Sequence, residues 1–323
     1  MEGLQNVWGW QPALYLFLGG VGAGAFIAAM VAYFKNGQKK SSTVFASVCA
    51  AAVCLVVGLL LLLSELITPA RGLMMWQSFS NFSSWMTIGA WVVFAAVIVF
   101  VLEALCLWDR AVAFVSKGNS SFGEAVPAMA RVLGIVGCVL AFCVAAYTGI
   151  LLMSAPGVPL WNTILLPCLF TVSALDTGIA LVEVITFVNR KKEGMGEATV
   201  LLLNRGVVAL VVVELVVLAA LLISMAMAPA GESHTAAVAA QSAALIFQGE
   251  LAPWFWILVV ALGLAVPLVA SFVTLRASGE KPHIVGLAGA MGALIGGCAL
   301  RFIIMLAGLH ADPVIDTIVQ LMG

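Results

Sequence analysis

Apolar residues run along this chain in long blocks, not in alternation. Eight blocks can be drawn, over roughly 12–34, 44–67, 86–108, 127–153, 164–188, 201–227, 251–275 and 284–308. At about 1.5 Å of rise per residue, each is long enough to cross a hydrocarbon core as a helix. They are too long for membrane β-strands and lack the period-two pattern of a barrel. The pattern predicts an all-α polytopic membrane protein with eight transmembrane helices. The last block, IVGLAGAMGALIGGCALRFIIMLAG, is the most informative. Gly286, Gly289, Gly292, Gly296 and Gly297 in it allow close helix approach, and its single charge, Arg301, must face a partner, a cavity or a ligand at that depth.

The connections sort by charge. Lys35, Lys39 and Lys40 follow the first span; Arg110, Lys117 and Arg131 lie between or beside the third and fourth. Arg190, Lys191, Lys192 and Arg205 flank the fifth connection, and Arg276 and Lys281 the seventh. On the alternate side only Arg71 stands outside a span, together with Glu232, Glu250, Asp312 and Asp316. The positive-inside rule then places both termini outside and the odd-numbered connections in the cytoplasm. The connection at 154–163 divides the chain most simply into two four-helix bundles, residues 1–153 and 154–323. The outer connections 68–85 and 228–250 are semi-polar candidates for interfacial or docking segments, the second long enough for a short surface helix. Trp8, Trp10, Trp76, Trp85, Trp161, Trp254 and Trp256 cluster near this side, as an aromatic belt does.

Composition agrees. The protein is 63% hydrophobic and 9% charged with a formal net charge of -1, far from the charged fraction of soluble domains. No basic patch or motif points to nucleic acid. The N-terminus, MEGLQNVWGW, lacks the basic start and small-residue cleavage site of a leader, so the first block is expected to remain as a span.

Candidate chemistry is confined to a few polar groups. The seven cysteines, among them Cys49, Cys54, Cys138 and Cys143, lie in apolar runs without a Cys-x-x-Cys pair. They read as packing residues and not as ligands of zinc or an iron–sulfur cluster. His234, His283 and His310 fall at span ends or in loops, so no facing pair inside the bundle is expected to bind a b-type haem. Asp176, Glu183, Glu214 and Arg301 are candidates for a proton path. Asp176 and Glu183, seven residues apart, share a helix face about 10 Å apart. Intramembrane ionisable groups mark such paths, although buried pairs that orient helices use the same residue types. Gly20 and Gly24 in GGVGAG form a Gly-x-x-x-Gly packing face; the strand–turn–helix setting of a dinucleotide fingerprint is absent.

Four stretches together resemble the NrfD/polysulfide-reductase membrane-subunit family. They are WGWQPALYLFLGGVGAGAF at 8–26, ITPARGLMMWQSFSNFSSWMTIGAW at 67–91, YTGILLMSAPGVPLWNTILLPCLFTVSAL at 147–175 and GGCALRFIIMLAG at 296–308. The resemblance covers essentially the whole chain. It implies a haem-free subunit, with no iron–sulfur cluster of its own, in a bacterial or archaeal cytoplasmic membrane. Such a subunit exchanges electrons between menaquinone or ubiquinone and an extracytoplasmic four-cluster ferredoxin-like protein. That partner in turn serves a large molybdopterin catalytic subunit. The resemblance also implies a quinone head group near the outer face between the first helices. Gln11, Tyr15, Arg71 and Tyr147 match that region, where tyrosine and glutamine can hydrogen-bond quinone carbonyls. Some relatives carry a histidine near the start of the first helix. This sequence has none there, and Glu65, inside the outer end of the second span, is the substitute proton acceptor beside Tyr147. An ion-coupled transporter also fits polar groups at mid-membrane, but no inverted repeat or strongly broken helix is evident. A purely structural anchor is the third reading.

Overall fold

Each of the eight blocks folds as a helix in the computed structural model, which describes residues 9–65, 81–118, 120–155, 157–190, 197–228, 233–276 and 282–311. The first four spans are α1 (Trp10–Lys35), α2 (Ser42–Glu65), α3 (Trp85–Leu107) and α5 (Ser120–Met153). The next two are α6 (Leu165–Asn189) and α7 (Glu197–Ala226). The seventh span begins as α9 (Ala252–Trp254), continues as a π-helix over Phe255–Ala265 and ends as α10 (Val266–Arg276). The eighth is α11 (Pro282–Leu306). Two shorter helices complete the set: α4 (Asp109–Gly118) and α8 (His234–Phe247). No strand occurs among the described residues.

The spans are apolar on every side, as helices immersed in lipid and protein must be. They differ in how much protein surrounds them. In α1 and α6, 72% of the central window is buried, against 33% in α2, α3 and α7. Hence α1 and α6, with α11 at 61%, form the centre, and α2, α3, α7 and the seventh span face outward. α1 packs against α2, α5 and α6. Small residues set the α1–α6 contact: a Cβ added at Gly24 would meet the Ala174 carbonyl, and one added at Gly178 would meet the Gly24 backbone. The Gly20–Gly24 face is therefore a packing face. Phe26 of α1 stacks on Phe100 of α3, ring centroids 3.8 Å apart and 6° from parallel.

Two departures from the sequence pattern stand out. The fourth span starts at Ser120 rather than near 127 because the helix runs through Pro127. The ring removes one backbone donor and crowds the carbonyl of residue 123, which is a glycine and belongs to the first turn. The stretch after Leu107 is a strongly amphipathic helix, α4, and not a simple loop. It packs on both α3 and α5. Lys40 pairs with Asp109 at its start, 3.5 Å apart. Arg131 Nη2 donates to Gln38 Oε1 at 3.1 Å. Gln38 holds a left-handed conformation, φ 62°, in the turn that ends α1. These contacts lie on the face that carries most of the lysines and arginines.

On the opposite face α8 occupies the outer connection, its N-terminus capped by Ser233 Oγ, which accepts from Ala236 N at 3.1 Å. Trp10, Trp85, Trp254 and Trp256 are exposed there, as belt residues are. Trp161 is not one of the belt. It is buried, and its Nε1 donates to Ile304 O at 2.9 Å, tying the α5–α6 connection to the end of α11. Ala311 N donates to Gly157 O at 2.8 Å beside it. Trp8, Trp76, most of the 68–85 segment and the acidic pair Asp312 and Asp316 lie outside the described residues.

Candidate functional site

Two groups of polar side chains occupy the interior. The first is at the outer ends of α1 and α5. Tyr15 and Tyr147 are buried, and their phenols stand close to each other. The sequence makes room for both rings. Gly89 of α3 stands against the Tyr147 ring, where any Cβ would collide with it, and Gly58 of α2 stands against Tyr15. Four helices thus converge on two hydroxyls. Each phenol carries one proton that it can donate and an oxygen that can accept. Gln11 is one helical turn before Tyr15 and on the same face; it is partly buried. Thr148, next to Tyr147, spends its hydroxyl on Ala145 O at 2.7 Å. Glu65 closes α2, but its side chain lies outside the described residues, as does the whole of Arg71.

The second group runs between α6, α7, α10 and α11. Arg301 is completely buried. Its Nη1 donates to Ser173 Oγ and to Gly297 O, the latter at 3.1 Å, and its Nη2 to Phe170 O at 3.2 Å. The guanidinium also lies over the Phe170 ring, 4.8 Å from the centroid. Ser173 Oγ also lies close to the carboxyl group of Glu214. Arg301 and Glu214 thus stand near one hydroxyl, with no direct ion pair between them among the described residues. Asp176, one turn beyond Ser173, is buried close to Glu214, and its Oδ1 has no hydrogen-bond partner among the described residues. Ser173, Asp176 and Glu214 line one cleft with Gly263 of the π-helix and Gly297 of α11.

From Asp176 a small chamber leads towards the basic face. It has a volume of about 10 Å³, and Glu183, Asn204 and Ser271 line it with Asp176. That is close to the room one water needs, and the walls offer the polar partners a water requires. Asn204 Nδ2 donates to Val200 O at 3.0 Å, which leaves its amide oxygen towards other donors. All four proton-path candidates thus belong to one series of groups: Arg301, Glu214, Asp176 and Glu183.

Three features of this series escape a reading of the sequence: the hydroxyl of Ser173, the pair Asn204 and Ser271, and the π-helix. A serine or asparagine in a span has no signature that separates it from the small and polar residues used in packing. Ser173 alone carries a hint, one turn from Asp176. The π-helix has no local marker beyond Gly263. Another buried acid, Glu103 of α3, stands apart from both groups, with neither carboxyl oxygen bonded to any described residue. Among the described residues no set of three or more His, Cys, Asp or Glu side chains lies close enough to hold a metal ion.

Comparison with known proteins places this architecture. The family described as "Polysulphide reductase, NrfD" matches residues 2–311. The C subunit of polysulfide reductase from Wolinella succinogenes is 33% identical over 313 residues, covering 94% of each protein. Protein NrfD of Escherichia coli is 29% identical over 313 residues, covering 94% of this protein and 95% of that one. A NrfD homolog of Haemophilus influenzae is 27% identical over 322 residues, covering 94% of both. Eight membrane-crossing helices and a match from end to end lead to one conclusion: the chain belongs to the NrfD/polysulfide-reductase family of membrane anchor subunits.

Proposed function

We propose that this protein is the haem-free membrane subunit of a molybdopterin oxidoreductase complex. It exchanges electrons and protons between menaquinone or ubiquinone and an extracytoplasmic iron–sulfur subunit. The observation that carries the reading is the meeting of Tyr15 and Tyr147 at the outer ends of four helices. A buried pair of phenols in apolar walls has the donor set that a quinone carbonyl takes.

The bound quinone supplies a two-electron, two-proton couple, and the electrons come from or go to the clusters of the partner. The residues of this subunit hold and orient. Tyr147 donates to the carbonyl oxygen, Tyr15 fixes the Tyr147 phenol, and Gln11 contributes an amide one turn further out. Arg71 and Glu65 complete the reading from the sequence: Arg71 as a cation for the second oxygen, Glu65 as the acceptor that takes the proton released on quinol oxidation. The charge distribution puts this end on the extracytoplasmic side, where an iron–sulfur partner within electron-transfer range can dock.

The series Arg301, Glu214, Asp176 and Glu183 supports a second part of the same reading: a proton path between the membrane centre and the basic face. Its support is the water-sized chamber beside Asp176.

The test is quinol-dependent turnover of the purified complex. Tyr147→Phe and Glu65→Gln should each lower it by about tenfold or more, the range lost with a positioned proton donor or acceptor, while all subunits still co-purify. Full turnover in both variants would overturn the pocket. Uptake of a solute by the isolated protein without a redox partner would favour a transporter instead.

A further inference from the structure

The quinone reading leaves one buried acid without a task. Glu103 lies on the buried stripe of α3, one turn beyond Phe100, and is completely enclosed. Neither of its carboxyl oxygens has a hydrogen-bond partner among the described residues. An ionised carboxylate there would lack both water and donors, so the group is held as the neutral acid. An unbonded acid is a poor packing residue, because an apolar side chain of similar size fills the place without desolvating a polar group.

Its surroundings differ on two sides. Towards the phenol pair lie the stacked rings of Phe26 and Phe100, with the Phe26 ring set against Gly137 of α5. Towards the basic face, Tyr33 of α1, itself buried, and Lys40 of the α1–α2 turn stand close enough to interact with a charge on Glu103. So do the thiols of Cys106, one turn along α3, and Cys138 of α5. Arg131 of α5 stands close to Tyr33. α2 brings Cys49 and Cys54 but no charge before Glu65 at its far end. α4 brings Asp109, Arg110 and Lys117.

Lys40 is a cation between two acids. Its pair with Asp109 spans 3.5 Å, and the Asp109 side chain is 85% exposed, so water and salt weaken the attraction. A charge on Glu103 would act on the same ammonium through a medium of lower dielectric constant, where attraction is stronger.

We infer that Glu103 is a proton-binding site reached from the basic face, and that its proton decides which acid Lys40 pairs with. With the proton in place, Lys40 ties the α1–α2 turn to the start of α4 through Asp109. As the pH rises, the proton passes to water at the basic face, Lys40 turns to the carboxylate, and α4 loses that tie.

The test is infrared spectroscopy of the intact complex in lipid nanodiscs, read as the difference between wild type and Glu103→Gln so that the other carboxyl groups cancel. At neutral pH the difference should contain the C=O band of a protonated carboxyl, and the band should be lost as the pH is raised. Lys40→Met removes the cation and should move that loss to higher pH by about one unit or more. Asp109→Asn frees the cation and should move it to lower pH. Hydrogen exchange of the α4 amides should be faster in the wild type than in Glu103→Gln at alkaline pH, and equal in the two at neutral pH. A carboxylate band in place of the C=O band at neutral pH, or a C=O band that persists to the highest pH at which the complex stays intact, overturns the proton site. A loss unmoved by Lys40→Met and by Asp109→Asn, or α4 exchange that is equal at alkaline pH, overturns the exchange of partners by Lys40. If Glu103→Gln fails to assemble, the shifts of the band in the Lys40 and Asp109 variants against the wild type decide alone.

Discussion

Arg301 shows how a charge is kept inside this bundle. An isolated guanidinium in a medium of low dielectric constant is costly, and its partners must satisfy it donor by donor. Here two backbone carbonyls and one hydroxyl take donors of the two terminal nitrogens and one aromatic face lies against the group, while Nε has no partner among the described residues. Removing one member of such a set strands the rest. Arg301→Met should destabilise the protein by about 3–5 kcal/mol, read as a lower apparent melting temperature in detergent. Combining it with Glu214→Gln should recover part of that loss, since the acid no longer needs a cation. Strictly additive losses in the double-mutant cycle would mean that Ser173 does not couple the two. The charged members of the series are legible in the sequence because a charge in an apolar block is conspicuous. Ser173 is not, because a lone hydroxyl in a span is ordinary, and only the packing of α7 and α11 on α6 gives it two charged neighbours.

At the scale of elements, contacts between backbones decide the packing. Gly24 and Gly178 let α1 and α6 touch with no side chain between them, and dispersion across such close surfaces replaces the hydrophobic effect that lipid removes. Gly24→Ala should therefore destabilise the protein by about 1–3 kcal/mol, the usual range for overpacking. Gly286→Ala, where an added Cβ meets nothing within 4 Å, should be neutral or slightly stabilising in the same melting assay. Equal effects at the two positions would contradict the close α1–α6 approach. Gly263 of the π-helix and Gly296 of α11 repeat the arrangement, the Gly263 Cβ position lying 2.7 Å from Gly296 Cα. The eight spans are legible because length and apolarity suffice to mark a membrane crossing. α4 is hidden because ten mixed residues between two spans read equally as loop. The π-helix is hidden because its wider turn depends on what α11 presents to it, and an apolar block has no pattern to record the difference.

For the whole molecule, the two polar groups acquire a direction only through orientation. Lys35, Lys39, Lys40, Arg110, Lys117, Arg131, Arg190 and Arg276 lie at one end of the spans, and Tyr15 and Tyr147 towards the other. The charge bias makes the basic end cytoplasmic. The phenol pair then lies near the extracytoplasmic surface, and the series from Arg301 to Glu183 runs from the outer part of the membrane inward. Cysteine labelling tests this directly. Lys39→Cys, in the turn after α1, should react with a membrane-impermeant maleimide only after the cells are permeabilised. Gln248→Cys, at the end of α8, should react in intact cells. The reverse pattern would place Tyr15 and Tyr147 on the cytoplasmic side, and the proposed exchange with an extracytoplasmic iron–sulfur partner at that site would fall. Labelling of both positions in intact cells would instead mean that the spans do not alternate as eight crossings require.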